Sequence, residues 1–266
     1  MPIEFSENIR ALDQEAFGAI AYEVMEQAFQ VHNKLGRFFD EDAYQQELAH
    51  VFGSRAITET SIMVKHADFC KTYFIDLLVD QGAIFELKTG NHLTDEHRAQ
   101  LLNYLMLTEG RHGKLINFRP ERVEHEFVNT RLTHADRTTF ELDDSAWDAS
   151  VEGALEIRRL VEEFLGDWGT GLDLQLYVDA LTHFLGGEDR VVREIDIVSE
   201  GRCIGRQKVR FAGTDAAFKF TALSGTLENF ESHALRFLRH TDLKRLLWIN
   251  VTLRTVTMKT LIKWLA

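Results

Sequence analysis

The chain has 266 residues and a formal net charge of −12; 45% of its residues are hydrophobic and 27% are charged. Its length allows one large domain or two small ones, and its composition excludes collagen, a disordered tail and a disulfide-stapled small domain. The acidic total argues against a general nucleic-acid coat protein, but it is compatible with an enzyme that holds a metal ion in an acidic pocket.

The first half of the chain has the pattern of an α/β protein. Helical spacing of apolar residues predicts helices over residues 11–35, 40–52 and 93–108. Short β-like runs predict strands over 57–64, 72–79, 83–87 and 114–118, with a hairpin turn at 80–82. Gly36 is expected to end the first helix and Thr94 to cap the third. In the second helix, Tyr44, Leu48 and Val51 are expected to face inward.

The second half repeats the same order of elements after a polar, acidic stretch. Helices are expected over 151–165, 173–185 and 227–239, and strands over 191–198, 207–211, 216–220 and 246–251. Residues 134–150 are expected to form an acidic connector, with an extra strand at 138–142 as the alternative. The charge is uneven, because residues 1–150 hold 26 acidic and 14 basic side chains, whereas residues 151–266 hold 16 of each.

An internal repeat explains this order. When residues 36–118 are compared with residues 169–251, a constant offset of 133, 15 of the 83 positions are identical; roughly five are expected by chance. The matches include Gly36/Gly169, Tyr44/Tyr177, Cys70/Cys203 and Asn117/Asn250. This predicts a tandem duplication with units at 1–133 and 151–266; coincidence aided by shared helix and strand patterning is the alternative.

Chemistry is concentrated in the first unit. Asp76 lies inside an apolar strand, where a carboxylate is costly unless it is paired or binds a cation. Glu86 and Lys88 are two residues apart on the next strand and therefore face the same side. If Asp76 and Glu86 face each other across the hairpin, they can bind Mg²⁺ or Mn²⁺, with Lys88 beside them. An ion pair on an exposed strand face is the alternative.

The run from Gly36 to Tyr44 (GRFFDEDAY), then Asp76, FELK, HLTDEHRAQLLNYL and LINF resembles the GxxExxY branch of the PD-(D/E)XK nuclease superfamily over about residues 15–120. The resemblance implies a restriction-endonuclease-like α/β sandwich, a mixed β-sheet flanked by helices, which the repeat makes a tandem duplicated fold. The branch's site residues fall here on Glu41, Asp76, Glu86, Lys88, Gln100 and Tyr104. Arg37-Phe38-Phe39 departs from the Gly/Pro-rich turn usual in the branch.

The resemblance also implies roles. Asp76 and Glu86 would bind the metal with the Leu87 carbonyl as an extra ligand, and Glu41 would assist the metal or its water. Lys88 would position the attacking water, and Gln100 and Tyr104 would orient Lys88 or the phosphate. Glu41 has an alternative role as a helix N-terminal acid favoured by the dipole, and Tyr104 has one in packing. His97 also matches the branch pattern, but is expected to be a surface or supporting residue and not a ligand.

The second unit is expected to have lost this site. The offset places Leu174 at Glu41, Val209 at Asp76, Lys219 at Glu86, Thr221 at Lys88 and His233 at Gln100. Such a set cannot hold Mg²⁺. Arg206, Lys208 and Arg210 alternate onto one strand face that could contact phosphates, and a solvated charged face is the alternative.

The leading hypothesis is a divalent-metal-dependent nuclease that acts on nucleic acid, with DNA as the first expectation, and that carries an inactive second unit. A non-catalytic binding or assembly module on a nuclease fold is the alternative, and a hydrolase of another phosphoester shares the same metal site. Both a homodimer and an internal pseudo-dimer are compatible with the sequence. No membrane span or secretory signal is visible, so a cytoplasmic location with free thiols at both cysteines is expected.

Overall fold

The structure is a computed structural model that describes residues 2–263. The chain divides into two compact units, residues 1–134 and 135–266. Among the described residues, no helix is long and apolar enough to cross a membrane. Both cysteines are free and exposed.

The first unit contains one mixed sheet. Its strands are β1 (Ile3–Phe5), β2 (Ala56–His66), β3 (Phe69–Val79), β4 (Ala83–Lys88), β5 (His112–Asn117) and β6 (Glu124–Asn129). They lie in sequence order, with β4 and β5 parallel and every other neighbouring pair antiparallel. Its helices are α1 (Gln14–Leu35), α2 (Glu41–Phe52) and α3 (Asp95–Thr108). This mixed sheet flanked by helices is the fold class that the sequence predicted.

One face of this sheet packs against α1 and α2. Phe17, Val24 and Tyr44 from the helices join Phe85 and Phe118 from the sheet side in one buried cluster, because the apolar stripe of each helix recurs every three to four residues. Val51, expected to face inward, is 44% exposed. Its neighbour Phe52 takes the buried position at the end of α2.

The third helix covers the other side of the sheet. Leu101 of α3 lies directly over Gly113 of β5, and a Cβ added to that glycine would meet Leu101 carbons at 3.0–3.2 Å. The missing side chain therefore allows close packing of helix on strand. Thr94 caps α3 as predicted, and the cap is reciprocal: Thr94 Oγ1 accepts from the His97 amide, and the Thr94 amide donates to His97 Nδ1.

The second unit has two smaller sheets. Its strands are β7 (Glu141–Ala146), β8 (Val192–Ser199), β9 (Arg202–Arg210), β10 (Ala216–Thr221), β11 (Arg245–Val251) and β12 (Thr255–Ile262). The four-stranded sheet has the order β10-β11-β12-β7, and β8 and β9 form a separate two-stranded ribbon. The helices are α4 (His134–Thr138), α5 (Ala154–Trp168), α6 (Leu174–Phe184), α7 (Glu188–Val191) and α8 (Leu227–Arg239).

The stretch expected to form a connector, residues 134–150, contains a short helix and a strand. Residues 134–138 form α4, and β7 adds to the second sheet as an edge strand parallel to β12. The extra strand considered at 138–142 therefore exists, but at 141–146. Hydrophobic patterning does not predict β7, because the strand is rich in acidic side chains. Charged side chains are typical of a strand at a sheet edge. Arg137 of α4 is fully buried and donates to the carbonyls of Trp168 and Thr170.

Several pairings recur in the two units at a constant separation of 133 residues. Parallel β4–β5 pairs Ile84 with Gly113, and parallel β10–β11 pairs Ala217 with Leu246. Antiparallel β5–β6 pairs His112 with Asn129, and β11–β12 pairs the residues 133 positions later. The sequence missed β6 and β12, because their side chains alternate between polar and apolar without a long apolar run.

A tyrosine hydrogen bond recurs in the same way. The Tyr44 hydroxyl donates to the Gly36 carbonyl at 2.9 Å, and the Tyr177 hydroxyl donates to the Gly169 carbonyl at 2.5 Å. Both glycines follow a helix and have φ near the left-handed region, 75° and 79°, which a residue with a side chain adopts only under strain. Each bond therefore fixes the turn that leads into the next helix.

We expect Tyr44→Phe and Tyr177→Phe each to lower the free energy of unfolding by about 1–2 kcal/mol, since each leaves a carbonyl without its donor while packing is retained. All four tryptophans lie in the second unit. Urea denaturation followed by tryptophan fluorescence should therefore report the Tyr177 variant selectively, and far-ultraviolet circular dichroism should report both. An unchanged tryptophan transition in Tyr177→Phe would contradict this role.

Candidate active site

The predicted acidic residues meet where β3 and β4 part. These strands pair as far as Leu77 opposite Phe85. Beyond that point Asp76 no longer has a backbone partner on β4, and its carboxylate Oδ2 accepts the Leu87 amide at 2.7 Å. Glu86 directly follows Phe85 on β4, and its side chain is fully buried. Each of the two strands therefore carries one acid, Asp76 on β3 and Glu86 on β4, next to the point where their pairing ends.

Lys88 lies among three carboxylates. Its Nζ is 2.7 Å from Glu86 Oε1, 3.5 Å from Glu41 Oε1 and 3.6 Å from Asp76 Oδ2. Glu41 is the first residue of α2, which brings it over the strand ends. The structure therefore brings together four of the six predicted catalytic residues, from α2, β3 and β4.

The carboxylates of this cluster are perturbed by burial. Glu86 is fully buried, its Oε2 has no hydrogen-bond partner in the described part of the chain, and burial together with the Asp76 charge raises its pKa to about 8. Burial also raises the pKa values of Asp76 and Glu41 above their ordinary range. Perturbed acids that converge in this way are typical of functional sites.

Lys88 is held in its charged form. Burial lowers its pKa, but the Glu86, Asp76 and Glu41 carboxylates outweigh burial, so that its pKa lies above the ordinary value. One ammonium cannot neutralise three carboxylates, so ionisation of all three leaves an excess of negative charge. This arrangement favours a further cation.

Two residues near the cluster were not predicted. Gln45, one turn after Glu41 on α2, is buried and donates to the Asp76 carbonyl at 2.7 Å and to Glu59 Oε1 at 2.6 Å. Glu59 lies opposite Asp76 on β2 and has a left-handed φ of 53°. Such a conformation costs about 1 kcal/mol or more in a non-glycine residue and is enriched at functional sites. The i,i+4 spacing of Glu41 and Gln45 was the available sequence signal for Gln45.

The remaining predicted residues form a neighbouring pair. Gln100 Nε2 donates to the Tyr104 hydroxyl at 2.9 Å, as their shared helix face predicted. Burial, followed by the Glu86 charge, raises the pKa of Tyr104, which keeps its hydroxyl protonated. His97 is occupied by the cap of α3, so it supports the helix start, and burial followed by the Lys88 charge lowers its pKa.

The predicted metal ligands do not form a ready-made cage. Among residues 2–263, no group of three or more His, Cys, Asp or Glu side chains is arranged to hold a metal ion, and Lys88 occupies the space among the acids. The donor set nevertheless fits a hard divalent cation, because it consists of carboxylates and includes the unpartnered, buried Oε2 of Glu86.

The first unit is thus a mixed sheet flanked by helices, with two acids and a lysine where β3 and β4 part. A family model described as the PD-(D/E)XK nuclease superfamily matches residues 18–130. The first unit belongs to this superfamily. Searches of curated proteins and of solved structures found no match.

Proposed function

We propose that this protein is a divalent-metal-dependent nuclease and that the first unit carries the reaction. The observation that supports it most directly is the unpartnered, fully buried Glu86 Oε2 beside Asp76 and Lys88. Superfamily membership makes nucleic acid the expected substrate, and DNA is the first to test.

Asp76 and Glu86 would hold the metal, with the Leu87 carbonyl and Glu41 as further ligands. The chemistry supplied by a Mg²⁺ or Mn²⁺ ion held there would be a lowered pKa of a bound water and neutralisation of charge on the scissile phosphate. Lys88, charged and restrained by Glu86, would position the attacking water and stabilise the negative charge that develops on the phosphate. Gln100 and Tyr104 would orient the phosphate or Lys88 from α3.

Gln45 and Glu59 would act as positioning residues. Gln45 holds the backbone of Asp76 through its carbonyl and holds Glu59 at the same time. This contact restrains the strand at the residue whose carboxylate must point at the metal, and precise restraint of ligands is what metal sites require.

Membership of the GxxExxY branch is also part of the proposal. Its support is that Gly36, Glu41 and Tyr44 act together: the Tyr44 hydroxyl bonds the Gly36 carbonyl, and α2 then begins at Glu41. The hydrogen bond orients the start of α2, and therefore Glu41, toward Lys88.

The second unit is proposed to be a degenerate copy of the first. The recurring strand registers and the recurring tyrosine–glycine bond support a duplication. Val209 and Lys219 stand where the first unit has Asp76 and Glu86, so no metal would bind there. The copy would serve as a fixed internal partner for the active unit.

The test is a cleavage screen with the full chain. Linear and circular double-stranded DNA, single-stranded DNA and RNA are incubated with Mg²⁺, Mn²⁺ or EDTA and resolved by electrophoresis. We expect cleavage of at least one substrate with metal and none with EDTA. If no substrate is cut and calorimetry detects no Mn²⁺ binding, the protein is a non-catalytic module; cleavage only of small phosphoesters would indicate another hydrolase.

A further inference from the structure

The second unit contains a cavity of about 470 Å³. In the first unit, β3 and β4 pair over three residues, from Leu77 to Val79. In the second unit, the strands 133 residues later keep only a single bridge, between Phe211 and Ala217, so the β8–β9 ribbon has separated from the main sheet. The cavity occupies the opening between β9 and β10, with α6 and α8 on either side.

Aromatic rings form the inner walls of this cavity. Phe218 and Phe220 come from β10, and Phe230 and Phe237 come from α8. Phe230 stacks on Trp248 of β11 with a centroid distance of 4.4 Å, so α8 packs directly against the sheet beside the cavity. Flat apolar walls of this kind suit a planar ring, because stacking of a base on an aromatic side chain contributes about 1–3 kcal/mol.

Positive charge surrounds the same cavity. Lys208 and Arg210 line it from β9, and Lys219 and His233 line it from β10 and α8, whereas no acidic residue lines it. In the described part of the chain, neither lysine nor Arg210 has a carboxylate within ion-pair distance. Arg210 Nε is buried without a hydrogen-bond acceptor. A buried charged donor without an acceptor is costly, and an anionic ligand would satisfy it.

We propose that this cavity binds a nucleoside phosphate, with the base against the phenylalanine walls and the phosphates on Arg210, Lys208 and Lys219. Its volume lies within the range of about 300–1,000 Å³ that is usual for small-molecule sites. A metal ion is not part of this site, because the lining offers no carboxylate. The proposal is independent of the cleavage activity, since it rests on residues of the second unit alone.

Calorimetric titration of the full chain with ADP in EDTA tests the proposal. We expect a micromolar to millimolar dissociation constant, quenching of tryptophan fluorescence through Trp248, and binding at least about tenfold weaker for adenosine or inorganic pyrophosphate alone. No binding at millimolar ADP, or binding that requires Mg²⁺, would overturn it. Tighter binding of a short oligoadenylate than of ADP would instead assign the cavity to a nucleic-acid strand.

Substitutions of two lining residues test whether ADP binds in this cavity. Lys219→Glu reverses the charge of an exposed lining residue, and Arg210→Met removes the buried donor; each should weaken ADP binding at least about tenfold. Arg202→Glu on the same ribbon is the matched control, because Arg202 is exposed and does not line the cavity. Equal weakening in Arg202→Glu would mean a diffuse surface effect and refute the site. Metal-dependent cleavage should be unchanged in all three variants, so the two proposals can fail separately.

Discussion

Asp76→Asn should reduce metal-dependent cleavage on the order of a thousandfold or more while the protein remains folded. Asparagine has nearly the shape of aspartate and can still accept the Leu87 amide bond through its oxygen. It removes the negative charge, however, and with it one of the two carboxylates that we propose as ligands of a hard cation. The loss should therefore appear in metal binding as well as in turnover.

The measurement pairs single-turnover cleavage with Mn²⁺ calorimetry. Asp42→Asn is the matched control, because Asp42 is an exposed acid in the first turn of α2, next to Glu41. It changes the net charge by the same amount, and its charge is the weakest of the influences on the pKa of Glu41, so its cleavage rate should stay within about twofold of the parent. Equal activity in both variants would remove Asp76 from the site.

Glu86→Gln should make the metal-free protein more stable while abolishing cleavage. The glutamine oxygen can keep the contact with Lys88, which is now 2.7 Å from Glu86 Oε1. The variant removes a buried charge that lies beside Asp76 and that has only a shared counter-ion. We expect a gain of about 1–3 kcal/mol in the free energy of unfolding.

The gain should depend on pH in a defined direction. The Glu86 carboxyl ordinarily titrates near 4.5, but its pKa in the folded protein is about 8. The folded state holds this proton more tightly than the unfolded state. The parent protein therefore loses stability as pH rises from about 4.5 to about 8, whereas the Glu86→Gln variant, which has no proton to lose here, does not. The difference between the two should therefore be larger at pH 8.5 than at pH 5.5.

Chemical denaturation in EDTA at both pH values provides the measurement. The unfolding transition followed by far-ultraviolet circular dichroism should shift. The transition followed by tryptophan fluorescence should not, because every tryptophan lies in the second unit. Glu121→Gln, an exposed acid of the first unit, should show no pH-dependent gain. A destabilised Glu86→Gln at pH 8.5 would mean that Lys88 satisfies Glu86 fully and that the cluster has no excess charge to offer a metal.

These two results would show that the first unit retains unfavourable charge for the sake of a function. Burial of Glu86 has a cost that a neutral residue would avoid, and such costs are common where activity requires a strained or destabilised site. The positive φ of Glu59 would be a second cost of this kind if Glu59 positions Asp76 as proposed.

The sequence predicted most of the helices and strands and four of the residues that the structure brings together at the candidate site. Helical spacing located α1, α2, α3 and α8, and the glycine after α1 and the threonine before α3 marked their ends, because caps and periodicity depend on residues a few positions apart. Asp76, Glu86 and Lys88 could be paired from the hairpin and the two-residue strand period alone. Those signals are local, so one sequence is enough to read them.

Other features depend on contacts between distant parts of the chain. Lys88 lies at the centre of the acids because β3 and β4 part at Leu77, and no local pattern shows where a ladder ends. Gln45 and Glu59 join the site only when α2 packs over β2. The strand β7 is polar because it lies at the edge of its sheet, and a polar strand cannot be predicted from hydrophobic patterning. The cavity between β9 and β10 exists because a strand pairing was reduced to a single bridge, and strand pairing is decided by tertiary structure.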